Sequence, residues 1–337
     1  MKQWLLKKWS TRNWLTIILL PVSLLYRLVI SKKRKAFITN PPKKHPLPII
    51  VVGNIYVGGT GKTPVVIHLV NLLKENGYKP AVISRGYGAS IDNPLMVNSG
   101  SNAQQTGDEP LLIYSNCKVP VVVNPDRNGS VNFILENCDC DIIVSDDGLQ
   151  HYALNRDVEL VVFDAQKGIG NGFLLPAGPL REPLSRLSDT DFTLINGSSS
   201  FLDGGCFDRV NQFFLDIELA VNMASGESIS LKELGQNNTK IHAVAGIGNP
   251  ERFFAQLEQH GLEITRHPYG DHFPYTEQTI DFVDGYPVVM TEKDAVKCME
   301  FAKQDWWMVP AHVRFKGDFD SQFLAKVEQI SGNKDAR

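Results

Sequence analysis

The apolar run Ile49-Ile50-Val51-Val52, followed by a glycine-rich stretch ending in Gly61-Lys62-Thr63-Pro64, constrains this chain more than any other feature. A short run of branched apolar residues reads as a buried strand, and Thr63 to Asn76 has helical periodicity that ends near Gly77. Glycines between a strand and a helix let the backbone turn sharply and aim its N–H groups at phosphate oxygens. The helix N-terminus adds the positive end of its dipole. In this pattern Gly58, Gly59, Thr60, Gly61, Lys62 and Thr63 bind a nucleoside triphosphate. Lys62 reaches the β- and γ-phosphates, and the Thr63 hydroxyl ligates Mg²⁺. Pro64 suits an early helical position, where its missing N–H costs little. The pattern G-x-x-x-x-G-K-[ST] asks for glycine where this chain has Tyr56, so the loop opens differently at its start. Val57 stands where deviant P-loop ATPases place a lysine, which disfavours that subclass. Thr291-Glu292-Lys293-Asp294 does not have the spacing of a guanine-reading NKxD run, so ATP is the expected nucleotide.

The same alternation of strand and helix continues. Pro80 to Ser84, Val119 to Val123, Ile142 to Val144 and Leu160 to Phe163 read as strands, and Glu109 to Asn116 and Asn128 to Asn137 as helices. Such alternation predicts an α/β fold of the P-loop NTPase kind, a mostly parallel sheet with helices on both faces. Gly197 to Gly205, rich in Ser and Gly, reads as a linker. A second alternation follows, with strands at Ile241–Ala245, Glu263–Arg266 and Val288–Met290. Helices are expected at Pro250–His260, Asp294–Phe301 and Phe319–Ile330. The expected division is an N-terminal helix over 1–36, a P-loop domain over 37–200, and a smaller α/β lobe over 201–337 that closes a cleft.

Charge is unevenly spread. No Asp or Glu precedes Glu75, whereas Arg12, Arg27, Lys32, Lys33, Arg34 and Lys35 flank the apolar segment Trp14 to Tyr26. A bilayer-spanning helix needs about 20 apolar residues. This segment is shorter, and Pro21 interrupts it. An amphipathic helix on an anionic membrane surface fits better than a span or a cleavable signal, and an ordinary packed helix is the plain alternative. A net charge of −3 over 337 residues argues against a nucleic-acid partner. The five cysteines show no paired CxxC spacing, so free thiols are expected, including the CxC pair Cys138 and Cys140.

Several polar clusters surround this frame. Asp146 and Asp147 end an apolar strand, as the Mg²⁺-holding acid of a P-loop protein does, unless they are turn-capping residues. Gly148-Leu149-Gln150-His151 follows directly. Asp108, in Gly107-Asp108-Glu109-Pro110, is either a helix cap or a general base. His272, beside Asp271, is either structural or catalytic. Arg127 and Arg181 lie in loops, where they either clamp phosphate or form surface ion pairs. Arg85, in Ser84-Arg85-Gly86-Tyr87-Gly88, is a further candidate for substrate contact.

Together these segments resemble the tetraacyldisaccharide 4'-kinase family. The most specific runs are Asp146-Asp147-Gly148-Leu149-Gln150-His151 and Leu175 to Pro183, and Thr291-Glu292-Lys293-Asp294 is also shared. The family loop likewise lacks glycine at the place of Tyr56. The resemblance implies transfer of the ATP γ-phosphoryl group to the 4'-hydroxyl of an acylated glucosamine disaccharide 1-phosphate, at the cytoplasmic face of the bacterial inner membrane. It implies Asp108 as base, assisted by His272, with Lys62 on the transferred phosphate. Thr63, Asp146 and Asp147 would serve Mg²⁺, and Arg85, Glu109, Arg127, Gln150 and Arg181 the substrate. It leaves the division among Asp146, Asp147 and Glu182 open. No obligate protein partner is expected. The rival classes are a membrane-associated ATPase that drives a partner, and a non-enzymatic nucleotide-binding module.

Overall fold

The computed structural model describes residues 4, 8–86, 91–198, 210–237 and 240–332. Tyr87, Gly88 and Cys206 lie outside the described residues, as does most of the expected Gly197–Gly205 linker.

The large sheet grows from branched apolar runs. β1 (Ile49–Gly53) pairs in parallel with β5 (Ile142–Asp146) on one side and β6 (Val158–Asp164) on the other. Outward from β5 lie β2 (Pro80–Ser84) and β4 (Val121–Val123), with the short antiparallel β3 (Leu95–Met96) at the edge. Outward from β6 lie β7 (Phe192–Asn196) and β8 (Val210–Asp216), then antiparallel β15 (His312–Lys316), giving nine strands. Both faces are covered, so β1 reads as an unbroken apolar run. Ile50 and Val52 meet Val65, Leu69 and Leu73 of α3 (Lys62–Glu75), while Ile49 and Val51 meet Val131 and Ile134 of α6 (Arg127–Asn137). The other helices before β5 are α4 (Ala103–Thr106) and α5 (Asp108–Cys117).

After β8 the chain leaves this sheet and builds a second one. Its order is β10 (Ser228–Ser230), β9 (Leu219–Asn222), β14 (Trp306–Val309), β13 (Val288–Thr291), β11 (Ile241–Ala245) and β12 (Ile264–Pro268). The helices of this lobe are α7 (Leu231–Asn237), α8 (Pro250–Gln259) and α9 (Glu292–Ala295). The chain then returns through β15, and α10 (Phe319–Gly332) buries Phe319, Phe323 and Val327 in the core of the large sheet. The second lobe is thus an insertion between β8 and β15, and a boundary at residue 200 does not coincide with the sheets. The helix expected over Asp294–Phe301 is also shorter. Only α9 and a separate 3-10 turn at Met299–Phe301 form, because Thr291 caps α9 through the Asp294 N–H and Asp294 is turned inward.

At the N-terminus Pro21 stands at the start of α2 (Leu20–Thr39) and separates it from α1 (Trp14–Ile18). No helix among the described residues is long and apolar enough to cross a membrane. One face of this segment is tied to the loop over 171–181. Trp9 Nε1 donates to Pro176 O at 3.0 Å, Ser23 Oγ to Leu174 O at 2.9 Å, and Tyr26 Oη to Arg181 O at 3.0 Å. The other face leaves Trp14, Ile18, Leu24, Leu25 and Leu28 more than half exposed.

Candidate active site

β1 ends at Gly53, where a Cβ would come within 2.5 Å of Leu149 Cβ, so the turn after β5 can pass close only to glycine here. Asn54 Nδ2 braces the loop from within, donating to Gly58 O at 3.1 Å and Thr60 Oγ1 at 3.3 Å. Gly61 caps α3 with a φ of 92°, a left-handed conformation that favours glycine. Tyr56 is buried and bridges to Leu180, packing with Leu174. The position that departs from the usual pattern therefore joins the phosphate loop to the run over 174–183.

Lys62 begins α3, with Nζ 3.3 Å from Asp147 Oδ1. Asp146, the last residue of β5, is fully buried. Its Oδ2 accepts a long bond from Ser84 Oγ at 3.4 Å, and its Oδ1 has no partner. Burial and then the Glu109 carboxylate push its pKa well above the usual range, against the pull of Lys62 and Arg127. A buried carboxylate oxygen without a partner is costly. With the buried hydroxyl residue Thr63 in the first turn of α3 it offers hard oxygen donors. Such a set fits Mg²⁺, which takes one or two protein ligands and fills the rest with phosphate and water. Among the described residues no cluster of three His, Cys, Asp or Glu could hold a metal without such help. Asp147 follows with a φ of 49°, which Asp tolerates better than most residues. Burial would raise its pKa, but Lys62 and Arg181 outweigh burial and lower it.

The arginines expected at the substrate divide. Arg181 Nη1 reaches Gln150 Oε1 at 3.1 Å and Asp147 Oδ2 at 3.4 Å, at the rim of the phosphate loop. Arg127 is buried instead. Its Nη1 donates to Asn124 O at 2.8 Å and its Nη2 to Asp146 O at 3.2 Å, so it braces the acidic turn from beneath. Burial lowers its pKa to about 10, although Asp146 and Asp147 oppose this. Arg85 is exposed at the C-terminal end of β2. Glu182 is fully buried and accepts from Gln150 Nε2 at 2.9 Å and Tyr152 Oη at 2.7 Å, with Arg186 beside it. It is a scaffold carboxylate and is tied to the acids only through Gln150 and Arg181.

Gly107 caps α5, so Asp108 is the first helical residue and not the cap. Its carboxylate faces the second lobe, where His272 Nδ1 lies 3.0 Å and 2.9 Å from the two oxygens. Burial would raise the Asp108 pKa, but the His272 hydrogen bond and the charges of Lys293 and Lys297 outweigh it and hold it at about 2. His272 has a φ of 63°, an uncommon conformation for a residue with a Cβ. Glu109, expected at the substrate, is engaged by Lys293 Nζ at 2.9 Å.

Two cavities meet at the start of α5. One, of ≈ 170 Å³, lies between the lobes and is lined by Gly59–Thr63, Glu109, Asp271 and Lys293, with Leu112, Leu215 and Phe253 on its apolar wall. The other, of ≈ 700 Å³, is lined by Asp108, His272, Asn102 and Lys297. The lobes touch at the loop itself, since a Cβ on Gly248 would sit 2.9 Å from Gly59 Cα.

Two residues of the site escape sequence reasoning. Lys293 stands in a segment shared with the family, but its partners are far away in the chain. Lys167 donates to Gly59 O at 2.6 Å, and nothing in its local pattern marks it.

The chain matches the family model described as tetraacyldisaccharide-1-P 4'-kinase over residues 15–328. It is 42% identical to the tetraacyldisaccharide 4'-kinase of Shewanella halifaxensis, over 99% of this chain and 100% of that one. It is 43% identical to the Pseudomonas fluorescens protein of that name, over 95% and 96% of the two chains. The crystal structure of LpxK from Aquifex aeolicus in complex with ATP matches with a TM-score of 0.78 at 26% identity, covering 94% of this chain and 99% of that one. With the glycine loop beside its acidic turn and the Asp108–His272 pair in the neighbouring cavity, this chain belongs to the tetraacyldisaccharide-1-P 4'-kinase family.

Proposed function

We propose that this protein transfers the γ-phosphoryl group of ATP to the 4'-hydroxyl of a tetraacyl glucosamine disaccharide 1-phosphate, a step of lipid A biosynthesis. The observation that carries the reading is the Asp108–His272 pair, which lines the cavity beside the phosphate-loop cleft, with the nearer His–Asp contact at 2.9 Å. A hydrolase would need only the loop and the acids. A kinase also needs a base for an acceptor hydroxyl.

In this reading the backbone N–H groups of Gly58–Thr63 bind the phosphates and Lys62 neutralises charge on the β- and γ-oxygens. Thr63 and Asp146, with Asp147 beside them, would hold Mg²⁺, which when bound withdraws charge from the same oxygens. Asp108 orients the hydroxyl and takes its proton, and His272 fixes the carboxylate. The second lobe excludes water. Leu112, Leu215 and Phe253 offer an apolar wall for the base of the nucleotide. Arg181, Gln150 and Arg85 are the candidates for the acceptor's phosphate and sugar, and Arg127 acts from beneath. The acceptor carries acyl chains, so the enzyme must reach a membrane. The exposed apolar face of α1 and α2, with Arg27, Lys32 and Lys35, suits the anionic cytoplasmic face of the bacterial inner membrane.

Incubation with γ-labelled ATP and acylated disaccharide 1-phosphate tests this directly. Label is expected in the lipid. Label in free phosphate alone would favour the ATPase reading, and no movement of label a binding module. Lys62→Ala and Asp108→Asn should each lower turnover by about 10²–10⁴-fold.

A further inference from the structure

Lys293 sits where the two lobes meet. Its Nζ lies 2.9 Å from Glu109 Oε1, 3.3 Å from Asp271 Oδ1 and 3.9 Å from Asp108 Oδ2. Two of these carboxylates come from the large-sheet domain and one from the inserted lobe. His272 completes the arrangement, with Nδ1 2.9 Å from Asp108 Oδ2 and Nε2 3.6 Å from Asp271 Oδ2. Lys293, Asp108, His272 and Asp271 thus form a closed ring of polar contacts, and Glu109 is a side branch. The Lys293 side chain is only 17% exposed, so its ammonium has left most of its water for these oxygens.

The backbone beneath Lys293 is firmly set. Asp294, fully buried, accepts from Gly246 N at 2.8 Å and Thr291 Oγ1 at 2.6 Å, and Lys297 Nζ lies 2.8 Å from its other oxygen. Lys297 Nζ also donates to Phe273 O at 3.3 Å, which ties the turn carrying Asp271 and His272 to the same platform. A mere surface ion pair would not be built this way.

We infer that Lys293 is a positioning residue for phosphoryl transfer: by holding Asp108 and Asp271 on either side of the His272 ring, it keeps Asp108 ionised and aimed at the acceptor hydroxyl. The inference rests on the reading of Asp108 as the base. Lys293 lines the phosphate-loop cavity, whereas Asp108 and His272 line the neighbouring one, so it acts through the pair from the nucleotide side. Without it the carboxylates of Asp108, Glu109 and Asp271 would share one region with one lysine fewer to offset them. Asp108, whose pKa Lys293 helps to hold down, would then keep its proton to a higher pH than before. A base that is already protonated accepts nothing.

The test compares wild type, Lys293→Met and Lys293→Arg in the labelled-lipid assay at about pH 5 and about pH 8, with melting temperatures recorded alongside. Lys293→Met should lower kcat at least about 100-fold, with KM for ATP within about threefold. Its ratio of activity at low to high pH should fall at least about threefold below wild type, because Asp108 then protonates at higher pH. Lys293→Arg keeps the charge and should keep the wild-type ratio, whatever its absolute rate. Three results would overturn the inference: a Lys293→Met kcat within about threefold of wild type, a Lys293→Met pH ratio equal to wild type, or a Lys293→Arg ratio as low as that expected for Met. If Lys293→Met does not fold, the Arg ratio decides alone. Asp108→Asn in the same assay separates the layers. Retained turnover there removes the base reading and this inference with it, whereas failure in the Lys293 arms leaves the base reading standing.

Discussion

At the scale of single residues, the site collects conformations and charges that a folded chain normally avoids. Asp147 and His272 are two of the three non-glycine residues with positive φ among those described, and they contact Lys62 and Asp108 respectively. Such conformations cost on the order of 1–3 kcal/mol and persist where surroundings over-determine them. Asp146 carries a cost of another kind. Burial raises its pKa in the folded protein above the unfolded value, so folding favours its neutral form. That contribution is present below about pH 4 and is lost as pH rises through the raised value. Asp146→Asn should therefore raise the melting temperature of the nucleotide-free protein at about pH 8 by a few degrees, change it little at about pH 4, and abolish transfer. Equal shifts at both pH values, read by thermal denaturation, would contradict this account. Residues in contiguous motifs are legible from the sequence: Lys62, Thr63, Asp146 and Asp147 stand beside a readable strand. Arg127 and Glu182 are legible as charged residues but not as buried ones, because their partners at Asn124, Asp146, Gln150 and Tyr152 are set by tertiary packing. Lys293 is the least legible, since its bond to Glu109 spans 184 residues.

At the scale of elements, glycines decide how closely the lobes approach. The turn at Gly246–Asn249 rests on the phosphate loop, and Asn249 Nδ2 donates to Gln166 Oε1 at 2.7 Å beside it. A methyl group on Gly248 would meet Gly59 backbone on one side with no flexible side chain to move. Gly248→Ala is expected to hold the lobes apart and weaken ATP binding by about tenfold, with little change in melting temperature. Calorimetric titration would check it, and unaltered affinity would count against contact at this point. The buried parallel strands are readable because both faces are covered. β7 and β8 are not, as polar residues such as Thr193, Asn211 and Gln212 interrupt their apolar pattern. His312-Val313-Arg314-Phe315-Lys316 does alternate with period two, as a half-exposed edge strand should, and its exposure pattern follows that alternation.

At the scale of the whole molecule, the inserted lobe makes the C-terminus part of the first domain. Removing residues 312–337 should unfold the nucleotide domain and not merely trim it, because Phe319, Phe323 and Val327 complete its core. Each large-to-small loss of this kind costs about 3–5 kcal/mol for phenylalanine, against a total of about 5–15 kcal/mol for a domain. Loss of the cooperative thermal transition would confirm the assignment. One face of α1 and α2 meets solvent instead. Replacing Leu24, Leu25 and Leu28 by serine should weaken binding to anionic vesicles by at least about tenfold in a sedimentation assay, while leaving the melting temperature unchanged.

The bond from Tyr26 to the Arg181 carbonyl joins these two ends of the problem. Arg181 also touches Asp147, which touches Lys62. The exposed apolar face of α2 and the Lys62 ammonium are thus only a few contacts apart. A small molecule wedged between α2 and the loop over 174–181 would be an inhibitor of an unusual kind. It would leave the nucleotide site open and block only acceptors presented in a bilayer, so screens run on detergent-dispersed substrate would pass over it.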